Sequence, residues 1–290
     1  LFLNITVISI IGFGLFLTQI SNFKPIFEKN IFHYFIMGLI IIGSTSMLMN
    51  IFVKLSNYYS IFIIILGIIF FIKNYLQVFY NFKAVIKYLI LVSSLSFIFS
   101  FYAGLNDDIA YHYNTVLNFK NLDLFQIEHS RQISYNSHWL FLKSIFFLTY
   151  LETSIFSLTS LIYSIILIDL YSNYKKTNIK KFYLISVYSF FCLVFLIGVT
   201  NMYKDFGTDM PGVLISIYIF INFIYLILSE KKITVNHFLY LFLLLNFIFI
   251  IKITNSLVYF FLLAFLIISK FKLRNLINYK IIIICIPVIL

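Results

Sequence analysis

Two adjacent carboxylates and a histidine, Asp107, Asp108 and His112, stand in the run Asn106-Asp107-Asp108-Ile109-Ala110-Tyr111-His112. Only ten of the 290 residues are Asp or Glu, so side-by-side acids need a reason. Asn106 or Asp107 is suited to cap a helix that opens here. On such a helix Asp108 and His112 lie four residues apart and share a face, as do Asp107 and Tyr111. A carboxylate beside an imidazole can act as a general base, or the two can ligate a metal ion. The plainer alternative is that the acids cap a helix at a water interface and favour its dipole. That alternative suits Asp108 as well as chemistry does. It leaves Asp107, Tyr111 and His112 as a set unexplained.

Three other stretches carry polar chemistry. Downstream of His112 come His129, Arg131, Tyr135, Asn136, His138 and Trp139, the single tryptophan. Trp139 reads as an anchor at a membrane–water interface, whereas Arg131 and His138 are candidates for binding substrate. The segment Lys204-Asp205-Phe206-Gly207-Thr208-Asp209-Met210-Pro211 contains a helix start, with Thr208 or Asp209 as cap and Pro211 just inside. Capping does not account for Lys204 and Asp205. Lys204 can hold a phosphate, and Asp205, Asp209 and Asp108 are candidate ligands of a divalent cation, the one cofactor considered. Lys252 lies between two apolar runs, either snorkelling to an interface or facing a partner.

The elements that must position these groups follow from composition. The chain is 62% hydrophobic and 11% charged, with a mean hydropathy of +1.02, which excludes an ordinary soluble domain. Apolar runs reach the ~20 residues that a bilayer-crossing helix needs. Period-2 alternation is absent, which argues against an outer-membrane barrel. The expected fold class is an all-α integral membrane protein of about ten transmembrane helices, with partner lipid bilayer. The spans are 1–20, 31–53, 58–72, 86–102, 154–171, 182–200, 211–228, 233–251, 255–269 and one from 281. The chain stops inside an apolar run at Leu290, so 1–290 is expected to be a single polytopic domain truncated at its C-terminus. The net charge of +11 comes from lysines clustered between apolar runs, where they set topology and do not signal nucleic acid. Cys192 and Cys285, both within apolar runs, are expected to be buried small hydrophobes.

Most of the basic residues fall in one set of connections: Lys24/Lys29, Lys73–Lys87, Lys175–Lys181, Lys231/Lys232 and Lys270–Lys280. The positive-inside rule assigns that set to the cytoplasm. Lys54, the 103–137 loop, the 201–210 loop and Lys252–Asn255 then lie outside. Parity allows one crossing between residues 137 and 175, so 138–151 is expected to be re-entrant or interfacial, and Lys143 and Glu152 fit that. The outer loop therefore extends over 103–152 with short helices. Asp107, Asp108, Asp123, Glu128, Asp205 and Asp209, six of the ten acids, fall on one face with Arg131, Lys204 and Lys252.

The step Asp107-x-x-x-Tyr111-His112, after a span and opening a long outer loop, resembles a motif of uncharacterised bacterial membrane glycosyltransferase families of the GT-C type. Tyr135-Asn136-Ser137-His138-Trp139 and Thr208-Asp209-Met210-Pro211 are similar to further elements of those families, as is Lys252-Ile253-Thr254. Tyr113 and Asn114 depart from the Leu and Gln or Pro common there. The resemblance covers roughly residues 86–215 and is firmest over 104–140. It implies a GT-C-like fold in a bacterial inner membrane, with the active site on the periplasmic or extracellular face. It implies transfer of a sugar from a polyprenyl-phosphate donor to a glycan or lipid acceptor. Asp107, Asp108 and His112 would be catalytic. Tyr111, Arg131, His138, Lys204, Asp205, Asp209 and Lys252 would bind substrate. Two alternatives stand beside it. One is a transporter or flippase for a lipid-linked sugar, which intramembrane charges would favour; only Asp169 is a candidate, and it lies near a cytoplasmic end. The other is a polysaccharide polymerase of the O-antigen type, which would use several outer arginines where this chain has only Arg131.

Overall fold

The computed structural model describes residues 2–21, 30–99, 112–123, 138–149, 157–176, 179–199, 209–228 and 235–251. Among the described residues there are ten α-helices and no strand. They are α1 (Phe2–Ser21), α2 (Ile31–Phe52), α3 (Asn57–Asn74), α4 (Phe82–Phe99), α5 (Tyr113–Asn121), α6 (His138–Phe146), α7 (Ser157–Lys176), α8 (Lys180–Val199), α9 (Asp209–Leu228) and α10 (Val235–Ile251). Eight of the ten expected spans coincide with α1–α4 and α7–α10; those at 255–269 and from 281 lie outside the described residues. Among the described residues four helices are long and apolar enough to cross a membrane: Phe2–Ser21, Ile31–Phe52, Asn57–Gln77 (α3 with its 3-10 extension) and Met210–Leu228.

Helix ends follow local chemistry. The Asn30 side chain accepts the His33 N–H (2.8 Å) and caps α2. Asn81 does the same for Ala84 at the start of α4 (2.9 Å). Lys73 closes α3, and Lys175 and Lys176 close α7, where cations suit the helix dipole.

α1 packs along both α2 and α3. Side chains as large as leucine hold helix axes 8–10 Å apart, and glycines let backbones come closer. A Cβ on Gly12 would strike the Gly67 carbonyl of α3, and one on Gly38 would strike the Ile10 carbonyl of α1. Away from this seam, Ile61, Phe62, Ile65, Ile69 and Ile72 of α3 point outward, an apolar face suited to lipid.

α7 is the hub: it touches α1, α2, α4, α8 and α9. It also carries more polar side chains than the apolar spans, and they turn inward. Ser96 of α4 donates to Ser164 (3.0 Å), and Asp169 and Asn173 are buried. Polar groups in an apolar bundle must find partners within it, which places the most polar long helix at the centre.

Two expectations need correction. Trp139 is fully buried (0% exposed) on α6, stacked into the bundle with its whole helix, and is no interface anchor. Lys143, on the same helix, is also buried. Cys192 is exposed on the outer face of α8, because α8 turns Tyr183, Ser186 and Phe190 inward instead.

The glycine seam yields a direct expectation. Gly12→Leu forces α1 off the α3 backbone, which no rotamer can relieve, so it should cost at least the ~1–3 kcal/mol of core overpacking. Ile65→Leu, on the outward face of α3, should change stability by no more than about 0.5 kcal/mol. Melting of the two variants purified in detergent checks the pair; equal melting temperatures would contradict the seam.

Candidate functional site

Where α2 ends and α3 begins, near Lys54, the bundle holds a polar assembly. The Leu55 N–H donates to the Phe119 carbonyl of α5 (2.9 Å). Asn50, near the end of α2, donates its amide to the carbonyls of Phe119 (3.4 Å) and Leu122 (3.2 Å). One buried asparagine thus fastens the C-terminal end of α5 to α2. Phe119 stacks on Phe141 of α6, with ring centroids 4.0 Å apart.

α6 enters this assembly from below. Its nine residues span only about 13 Å, too short for a ~30 Å hydrocarbon layer. At its start the His138 ring lies against Gly43, nine residues or about 13 Å before the end of α2, and edge-on to Phe247 of α10. Just past its end Thr149 accepts from the Asn57 amide at the start of α3 (2.7 Å). Among the described residues the helix therefore runs from beside Gly43 to the Lys54 end. Gly43 makes room for the imidazole, since any side chain there would occupy the ring's position.

Lys120 was not singled out in the sequence, yet it is the most unusual charge at this end. It is buried (3% exposed) on α5, and its Nζ donates to the Ser60 hydroxyl of α3, its only hydrogen-bond partner among the described residues. Burial lowers its pKa to about 7. A pattern signal existed: Thr115, Val116, Phe119 and Lys120 form one helical face, so the lysine belongs to the stripe that packs inward.

Of the expected site residues, His112 is partly buried directly before α5. His138 begins α6, which packs against α5, so the two histidines are carried by touching helices. Asp209 is the first residue of α9, with Pro211 in its first turn, as the helix-start signal required. Asp107, Asp108, Tyr111, Arg131, Lys204, Asp205 and Lys252 lie outside the described residues. Among the described residues no three His, Cys, Asp or Glu side chains come together as a metal site.

A second polar constellation lies at the opposite end, near Asn30. Asp169 Oδ2 accepts from Tyr218 of α9 (2.7 Å), Asn173 (2.8 Å) and Asn30 (3.2 Å), and Asn30 also donates to the Tyr218 hydroxyl (3.0 Å). One carboxylate oxygen thus joins the start of α2, α7 and α9.

The comparisons with known proteins can now be set beside this geometry. A family described as a domain of unknown function, DUF8201, matches residues 1–290. The chain belongs to DUF8201. No curated protein and no solved structure matches it. The description of DUF8201 names no activity, so the chemistry of this member rests on its own residues.

Lys120 gives a pH expectation with a definite sign. Its folded pKa lies below the ordinary lysine value of 10.5, so the folded state binds this proton less tightly than the unfolded state. The penalty is full below about pH 7 and is relieved as pH rises. Between about pH 7 and about pH 9.5, below the range where tyrosines ionise, wild-type melting temperature should climb. Lys120→Met should be more stable at pH 7 and flat over that window. A wild-type curve that falls there would contradict the assignment.

Proposed function

We propose that this chain is a membrane glycosyltransferase of GT-C type, moving a sugar from a polyprenyl-phosphate carrier to a glycan or lipid acceptor at the outer face of a bacterial inner membrane. The fold proposed is about ten crossings with the 103–152 loop outside. The observation that supports the reading is the short α6 docked on α5 at the Lys54 end, a structured surface beside His112, which directly precedes α5. A lipid-linked donor delivers its phosphate at headgroup depth, where a loop enzyme must have a fixed surface to meet it.

In this reading the acceptor hydroxyl attacks the anomeric carbon as the bond to the phosphate oxygen breaks, inverting the centre. Asp107 takes the hydroxyl proton while the new bond forms, since a sugar hydroxyl is too weak an acid to ionise first. His112 orients Asp107 or meets the leaving phosphate. Arg131, Lys204 and Lys252 offset the phosphate charge. Tyr111 and His138 would line the substrate path. Asp108, Asp205 and Asp209 are the residues that would hold a divalent cation if the reaction uses one.

One observation favours a second reading, a transporter for the same lipid-linked sugar: the buried Asp169 constellation joins three helices far from the Lys54 end, where a loop enzyme has no need of it.

Asp107→Asn separates the two. The glycosyltransferase reading expects loss of roughly 10²–10⁴-fold in transfer, seen as depletion of the surface glycan or glycolipid, with the protein still inserted. Wild-type levels of product from that variant would end the catalytic assignment, and translocation without glycosidic bond formation would support the transporter.

A further inference from the structure

Among the described residues, every group that bonds to Asp169 is a neutral donor. The residue is 4% exposed. Among the described residues three donors converge on Oδ2 and none on Oδ1. Four residues along the same helix, Asn173 is fully buried; its amide nitrogen donates to Asp169, while its Oδ1 is a buried acceptor without a donor. Two acceptor oxygens on adjacent turns of α7 therefore have no donor among the described residues.

Among the described residues, no neighbour bonded to Asp169 supplies a positive charge. Tyr88 of α4, Tyr183 of α8 and Tyr240 of α10 face Asp169 with neutral phenols, and His33 of α2 lies against Tyr240. α1 carries no charged residue. Lys176, two turns further along α7, is the one cation among the described residues whose field reaches the carboxylate. An isolated carboxylate in an apolar bundle is costly by many kcal/mol unless something neutralises it.

We propose that Asp169 and Asn173, held by Tyr218 and Asn30, form an exchangeable site for one monovalent cation, a proton or an alkali ion. A proton satisfies Asp169 Oδ1 alone. An alkali ion satisfies Asp169 Oδ1 and Asn173 Oδ1 together, with hard oxygen ligands that suit it. Occupancy neutralises the carboxylate that ties α7 to the N-cap of α2 and to the middle of α9. Binding is thereby linked to how those helices are joined. The site lies in the bundle, apart from the outer loops, and stands whether or not the chain transfers sugar.

The test uses the purified protein in detergent and needs no sugar. In one arm, NaCl or KCl replaces choline chloride at constant ionic strength near pH 8, and melting temperature is followed. In the other, without alkali ions, pH is lowered from about 8 to about 5 while proton uptake and the protonated-carboxyl infrared band are recorded. An alkali site raises the melting temperature saturably, and Asn173→Ala abolishes the rise. A proton site takes up one proton per chain with growth of the carboxyl band, and Asn173→Ala shifts its midpoint. Asp169→Asn should remove whichever response the wild type shows. Should that variant fail to fold, Tyr218→Phe, which deletes one donor, must move the midpoint. The proposal is overturned if the wild type answers to neither alkali ions nor protons, or if its response is unchanged in these variants.

Discussion

Where α1 crosses α3, backbone meets backbone at Gly12 and Gly67, and where it crosses α2 the contact is Gly38 against the Ile10 carbonyl. Lipid tails are as apolar as leucine, so helices in a bilayer gain little by hiding apolar side chains from it. They gain by close packing and by satisfying polar groups among themselves. The glycine seam supplies the first, holding α2 and α3 against α1 in the middle of the bundle and toward the Asn30 end. At the Lys54 end polar contacts take over: Asn50 reaches α5, Ser60 meets Lys120 and Asn57 meets Thr149.

The second requirement is met by α7. It is too polar to be an ordinary span, and it is central for the same reason. Ser160 and Ser164 meet Ser96 toward one end, and Asp169 and Asn173 meet Asn30 and Tyr218 toward the other. The bundle thus has two polar regions with different architecture. The Lys54 region is made of short helices resting on long ones, open to substitution of loops. The Asn30 region is locked among long helices, and any change of charge there is felt by three of them at once.

Sequence reasoning located eight long helices to within a few residues because apolar runs interrupted by lysine and asparagine leave little freedom. It misjudged Trp139 and Cys192 because hydropathy says that a segment is apolar but not which face of it turns inward. His138 shows the same limit from the other side: its seat on Gly43 depends on a glycine 95 positions away, which no local pattern connects to it. Asp169 was visible as a lone acid in an apolar run, but its partners come from three helices. Lys120 was legible in principle, from the face it shares with Val116 and Phe119.

The central claim is that the Lys54 end, with α5 and α6 seated on it, faces outward with the segment bearing Asp107. Single cysteines in a Cys192→Ser, Cys285→Ser background, labelled in intact cells with a membrane-impermeant maleimide, test it most directly. Cysteines at Lys54, Asn121 and Thr149 should label from outside together with one at Asp107. Cysteines at Lys73 and Lys176 should label only after the membrane is opened. Labelling of Asp107 from the side opposite to Lys54 and Asn121, or of all positions from one side, would contradict the account.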